Sequence, residues 1–183
     1  MKIYKNFLPE PLFKEIQSIT TSNTFPYFYN PYTANEKDRS SFLFTHLLYG
    51  EKKPLSNYLA TIVYPIMAKI KYTELLRAKI NLYTKTPTEI VTGFHTDSDK
   101  EHKVLLYSVN TNNGYTLFKD GKKVSQTVRK LRLRNFPSVV LFKDGKKVLS
   151  LANQAVVFDG KMSHSSVAQT DESIRVNINI NFI

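Results

Sequence analysis

The last nine residues before the C-terminal isoleucine, Ile174–Phe182, alternate without a break. Ile174, Val176, Ile178, Ile180 and Phe182 fall on one side, and Arg175, Asn177, Asn179 and Asn181 on the other. Successive side chains of an extended strand leave opposite faces, so this period of two predicts a long strand with one apolar face. The polar face is the real constraint. An arginine and three asparagines in strict register either look into water, as on an ordinary half-buried strand, or line a polar cavity inside a barrel. Residues 77–83 repeat the pattern, with Arg77, Lys79, Asn81 and Tyr83 on one face and Ala78, Ile80 and Leu82 on the other.

The remaining chain supplies what would back such strands. Lys2–Leu8 reads as a strand lead. Pro9 and Pro11 sit where a helix can begin, and Leu12, Phe13, Ile16 and Ile19 then recur at helical spacing. Pro54–Tyr72 is the longest helical pattern, an apolar stripe of Leu55, Tyr58, Leu59, Ile62, Val63, Ile66, Met67 and Ile70 that Pro65 should kink or divide. Between them, Thr24–Gly50 is rich in Tyr, Phe, Pro and Asn and reads as an ordered loop, either a substrate wall or an apolar satellite. Val104–Val109 is a near-continuous apolar run leading into a turn at Asn110–Gly114. Gln154–Phe158 is a further strand. Strands with apolar outer and polar inner faces, backed by N-terminal helices, imply a mainly β (α+β) fold: a double-stranded β-helix, or jelly-roll, cupin-like barrel. On length, residues 1–183 make a single domain, divided into N-terminal helical support and loop (1–74) and a jelly-roll core (75–183).

Gly93-Phe94-His95-Thr96-Asp97 places an imidazole and a carboxylate two residues apart, on one face if the backbone is extended. His164 follows far down the chain. Taken singly, each is an ordinary polar residue. Together, two imidazoles and one carboxylate on one side of an ion form the facial triad of non-haem Fe(II) sites, with positions left open for other ligands. Arg175 comes eleven residues after His164, about the length of a hairpin returning to a neighbouring strand. There its guanidinium could hold a carboxylate through two hydrogen bonds. His102 lies in a charged loop and His46 beside Phe44 and Leu47, so neither is expected to be a ligand.

The order His95-x-Asp97, His164, Arg175 resembles the Fe(II)/2-oxoglutarate-dependent dioxygenases. The flanking runs Lys79–Tyr83, Tyr107–Thr116, Asn153–Asp159 and Thr170–Glu172 are similar to the small prolyl 4-hydroxylase-like oxygenases of bacteria and phages. The resemblance covers roughly residues 75–118 and 148–183. It implies Fe(II) held by His95, Asp97 and His164, 2-oxoglutarate as cosubstrate, and O2 as the remaining reactant. It implies Arg175 as the clamp on the cosubstrate's distal carboxylate, with Tyr83, Ser166, Asn177, Asn81 and Tyr107 as further contacts. The reaction implied is hydroxylation of a substrate C–H bond with succinate and CO2 as co-products. The substrate would be a peptide, a protein prolyl residue by fold analogy, or a small molecule.

Composition narrows the setting. There is no cysteine, which excludes disulfides, thiolate metal sites and thiol nucleophiles. A reducing cytoplasm is the expected location. No apolar N-terminal segment follows the first basic residues and no apolar run reaches ~18 residues, so neither signal peptide nor membrane span is expected. The net charge is +11, and ten bases against two acids between Phe118 and Val148 account for +8 of it. Within that stretch Leu117–Val124 recurs unchanged as Leu141–Val148, each copy with an Asp-Gly hairpin signal. Residues 118–148 therefore read as a basic hairpin insertion, either a solvated surface or a nucleic-acid-binding patch. Two rival readings follow. One is an AlkB-like nucleic-acid demethylase, although such proteins carry a second Arg six positions after the first, where this chain has Asn181. The other is a non-enzymatic jelly-roll binding protein.

Overall fold

The structure is a computed structural model that describes residues 1–33, 41–119, 139–142 and 145–183, the stretch 139–142 through its backbone. In chain order the elements are β1 (Lys2–Tyr4), α1 (Glu10–Thr20), β2 (Phe28–Asn30), β3 (Leu43–Gly50), β4 (Lys53–Pro54), α2 (Leu59–Met67), β5 (Leu75–Thr84), β6 (Lys103–Ser108), β7 (Asn112–Phe118), β8 (Val139–Phe142), β9 (Gly145–Ser150), β10 (Gln154–Asp159), β11 (His164–Val167) and β12 (Ile174–Phe182). Among the described residues the strands form two antiparallel sheets. The larger runs β1-β10-β6-β12-β5-β3-β2, with β4 attached to β3; the smaller runs β11-β7-β9-β8.

The two alternating segments become adjacent central strands. In β12 and β5, Arg175 lies opposite Tyr83, Asn177 opposite Asn81, Asn179 opposite Lys79 and Asn181 opposite Arg77. Their polar faces therefore merge into one surface inside the barrel. The apolar faces point the other way. Val176, Ile178, Ile180 and Phe182, with Ala78 and Ile80 of β5 and Leu105 and Tyr107 of β6, pack against Phe13 and Ile16 of α1 and Leu59, Ile62, Val63, Ile66 and Met67 of α2. Burying each large side chain of this kind contributes about 1.5–3 kcal/mol. That is what holds the polar faces turned inward, since slipping a strand by one residue would exchange the two faces. A second cluster, Val104, Phe118, Val148, Val156 and Phe158, fills the space between the sheets.

Three elements differ from the sequence expectation. Thr24–Gly50 is not simply a loop, because Phe28–Asn30 and Leu43–Gly50 pair as strands and β3 joins β5. The second helix begins only at Leu59, because Lys53 and Pro54 pair back onto Gly50 and Tyr49. It ends at Met67, two residues after Pro65, which has no N–H to donate. The expected turn at Asn110–Gly114 gives way to a strand from Asn112, with an irregularity between Asn112 and Tyr115 where it pairs with β9.

Of the repeated octapeptides, the second contributes Leu141 and Phe142 to β8 and residues 145–148 to β9, with Phe142 opposite Gly145. The first contributes Leu117 and Phe118 to β7 and continues, after Lys119, outside the described residues. Most of the basic segment lies outside them too. Among the described residues no helix is long and apolar enough to cross a membrane.

Candidate metal centre

His95 and His164 meet through the backbone before they meet through their rings. Each donates its N–H to the other's carbonyl at 2.9 Å, a hydrogen-bonded antiparallel pair. Residues so paired project side chains to the same face, and the imidazole centroids lie 4.6 Å apart. Each ring is then fixed from behind. Nδ1 of His95 contacts the Gly93 carbonyl at 3.1 Å, and Nδ1 of His164 contacts the Met162 carbonyl at 2.9 Å. A carbonyl only accepts, so both Nδ1 atoms carry the proton and both Nε2 lone pairs are free to ligate.

Asp97 completes the group. Its Oδ1 lies 3.9 Å from His95 Nε2, and one donor atom from each of His95, Asp97 and His164 falls within a mutual 4.8 Å. No other such group of three occurs among the described residues. Asn179 Nδ2 donates to Asp97 Oδ2 at 3.2 Å, orienting the carboxylate. Burial alone would raise the Asp97 carboxyl. His164 when protonated, Arg77, the Asn179 hydrogen bond and Lys79 reverse that and hold it below its ordinary value. His164 is held below the ordinary histidine value, chiefly by burial against Phe118 and Phe158. An ionised carboxylate and a neutral imidazole are the forms a divalent ion requires.

The group opens into a cavity of about 50 Å3. Arg175 stands at its other end and is 2% exposed. Its Nη1 donates to Ser166 Oγ and to the Val167 carbonyl, both at 2.9 Å, and the Tyr83 ring lies 5.3 Å from its guanidinium carbon. Among the described residues no carboxylate pairs with it, and its buried Nε has no partner. A buried cation with unused donors is costly unless an anion joins it. Burial accordingly holds its pKa below the ordinary value. This is the chemistry a bound dicarboxylate supplies, so the residues fit both an ion at the triad and an anionic ligand reaching it from Arg175.

No protein-family model and no curated protein matches the sequence. Solved structures do resemble the chain in shape. The α-ketoglutarate-dependent carbocyclase SnoK of nogalamycin biosynthesis is similar over 98% of this chain and 78% of its own, with TM-score 0.62 and 11% identity. A prolyl hydroxylase from Trichoplax adhaerens, solved with a hypoxia-inducible-factor peptide, covers 100% and 82% at TM-score 0.60 and 12% identity. A Pseudomonas putida prolyl-4-hydroxylase covers 99% and 90% at TM-score 0.59 and 12% identity. The chain has the fold of the 2-oxoglutarate/Fe(II) oxygenases. At these identities the likeness concerns the fold, a double-stranded β-helix.

Within this oxygenase fold the sequence-predicted residues divide. His95, Asp97, His164, Arg175, Tyr83, Ser166, Asn177 and Asn81 all line the one cavity. Asn81 Nδ2 donates to Asn177 Oδ1 at 2.9 Å, so these two brace each other across the strands. Tyr107 is a correction. It lies fully buried in the core on the opposite face of β6, its hydroxyl donating to Asn153 Oδ1 at 3.0 Å. Arg175 arrives by another route than expected: β11 and β12 belong to different sheets, so its side chain reaches between them to Ser166. His46 contacts the Pro26 carbonyl and Ser56 Oγ, away from the triad, and His102 the Lys100 carbonyl.

Three contributors went unread in the sequence. Thr92 lines the cavity and its Oγ1 accepts from the Ser166 N–H at 3.0 Å. Asn179 was visible only as one of three asparagines on the polar face of the last strand. Gly114 looked like a turn residue. A Cβ there would stand 3.1 Å from Arg175 Cδ and 2.8 Å from Asn112 Oδ1, so its bareness makes room for the arginine stem.

Proposed function

We propose that the chain is an Fe(II)- and 2-oxoglutarate-dependent oxygenase that hydroxylates a substrate C–H bond. The observation that carries this is the pairing, in one cavity, of a two-histidine, one-carboxylate cluster with a buried arginine that has no anionic partner among the described residues. His95, Asp97 and His164 would hold Fe(II) on one face. When bound, the iron supplies the O2 chemistry that couples decarboxylation of 2-oxoglutarate, to succinate and CO2, with oxygen insertion into the substrate.

The protein's own part is orientation and exclusion. The two backbone carbonyls behind the imidazoles fix which nitrogen faces the ion, and Asn179 fixes the carboxylate. Arg175, braced by Ser166 and Val167, would take the distal carboxylate of 2-oxoglutarate and so aim its keto-acid end at the triad. Phe158 and Leu106 line the same cavity and limit the water that can enter.

The test is succinate formation by the full chain given 2-oxoglutarate, O2 and Fe(II). The expected result is iron-dependent succinate with matching CO2, lost in Asp97→Ala. No succinate above the iron-free control would contradict the proposal.

A further inference from the structure

Two cations stand beside the triad, away from Arg175: Lys79 in the cavity wall and Arg77 at its rim, 3.7 Å from Asp97. Along the paired β5 and β12, Arg175 and Tyr83 occupy one level, Asn179 and Lys79 a level four residues on, and Asn181 and Arg77 the next inward-facing level. At roughly 3.3 Å per residue, Lys79 is about 13 Å from the Arg175 level. Asp97 marks where the ion would sit, through its bond to Asn179 and its 3.7 Å approach to Arg77 Nη2. Cosubstrate reaching from Arg175 to the triad therefore stops short of Arg77.

Nothing in the described structure uses these charges fully. Lys79 lines the cavity and makes no hydrogen bond or ion pair among the described residues. Arg77 touches only the carboxylate that the ion would claim, and its buried Nε has no partner. The buried Oδ1 atoms of Asn179 and Asn181 are also without partners. Loaded with Fe(II) and 2-oxoglutarate, the pocket and its rim would hold five positive charges, two from the ion and one each from Arg175, Lys79 and the rim residue Arg77. Three negative charges oppose them, from Asp97 and the cosubstrate. Two remain uncompensated, both at the end where a primary substrate must approach the ion. An unpaired charge in the cavity wall, as at Lys79, is expensive, and an anion seated there removes the cost.

We propose that Arg77 and Lys79 form a seat for an anionic group, a carboxylate or a phosphate, carried by the primary substrate, so that the enzyme hydroxylates an acid and not a neutral molecule. This rests on the oxygenase reading above. Lys79 supplies a point charge beside the ion, and Arg77 a planar fork at the mouth, its side chain 37% exposed.

The test is equilibrium dialysis of inorganic phosphate and, separately, acetate against the full chain carrying Mn(II) and 2-oxoglutarate, which occupy the ion site and Arg175. The expected result is one saturable equivalent of at least one anion, and the better-bound probe shows whether the seat prefers phosphate or carboxylate. Lys79→Met and Arg77→Gln should each weaken it about ten- to a hundredfold, the value of one charge-assisted hydrogen bond. Lys79→Arg, which keeps the charge, should keep the anion. A wild-type chain that binds Mn(II) and 2-oxoglutarate but neither anion overturns the seat alone, as does undiminished binding in both charge-removing variants. A chain that binds neither Mn(II) nor 2-oxoglutarate overturns the oxygenase reading and the seat with it.

Discussion

Gly114 and Arg175 compete for one space, and the glycine's lack of a side chain settles it. Gly114→Ala would press a methyl against Arg175 Cδ, the Val167 carbonyl and Asn112 Oδ1. The arginine is the neighbour best able to move. We expect 2-oxoglutarate to bind about tenfold or more weakly in Gly114→Ala, since a displaced charge-assisted pair is worth about 1.5–3 kcal/mol, while Mn(II) affinity without cosubstrate changes little. Calorimetric titration with each ligand separates the two. Protonation gives a second residue-level prediction. His164 and Asp97 both have folded pKa values below their ordinary 6.5 and 3.8. The folded chain thus holds fewer protons than the unfolded one at acid pH, and stability present above those values is lost as pH falls through them. Melting curves of the metal-free protein should drop first below pH 6.5, from His164, and again below 3.8, from Asp97, and metal affinity should fall with the first step. Lys79 behaves oppositely in pH range. Burial, with Arg77 adding and Asp97 opposing, lowers it from 10.5 to about 8. Folding expels its proton between those values, so stability rises with pH across them. Lys79→Met should raise the melting temperature at pH 7, by about 2–4 °C for each kcal/mol of burial cost relieved, and the gain should vanish by pH 10.5.

Among elements, β12 carries the most. It lies between β5 and β6, and it turns four apolar residues to the helices and three polar ones, Arg175, Asn177 and Asn179, to the cavity. Ile178→Ala removes a fully buried side chain from its centre and should cost about 2–5 kcal/mol, read from denaturant midpoints. In the smaller sheet, Gly145 opens β9 with φ +139°, where an added Cβ would collide with the Phe118 carbonyl. Gly145→Ala should cost about 1–3 kcal/mol or more, and it would disturb Phe118, which packs on His164. These elements also show what the residues alone could reveal. The faces of β5 and β12 were legible because each alternates polar with apolar, and His95, Asp97 and His164 stood out because two imidazoles and a carboxylate together are the residue types such an ion takes. The facing of β6 was not. Its run Val104-Leu105-Leu106-Tyr107 is apolar on both sides, since Leu106 lines the cavity while Leu105 and Tyr107 meet the helices, so periodicity could not show that Tyr107 points away. Residues 28–30 and 43–50 were obscured by prolines and asparagines around them, and they become strands by pairing with each other and with β5, a contact remote in sequence. The route of Arg175 was likewise invisible, because spacing along the chain does not say which sheet a strand joins.

At the scale of the whole molecule, the helices and the larger sheet bury one apolar face so that the opposite face can stay polar between two sheets. Two imidazoles, a carboxylate, Lys79 and Arg175 then line one cavity, with Arg77 3.7 Å from the carboxylate. The most direct check is the stoichiometry of Fe(II) binding under anaerobic dialysis, with and without 2-oxoglutarate, for the wild type and for His95→Ala and His164→Ala. The account predicts one Fe(II) per wild-type chain, held more tightly when 2-oxoglutarate is present, and no stoichiometric binding in either variant. Equal iron binding by His164→Ala and the wild type would contradict it.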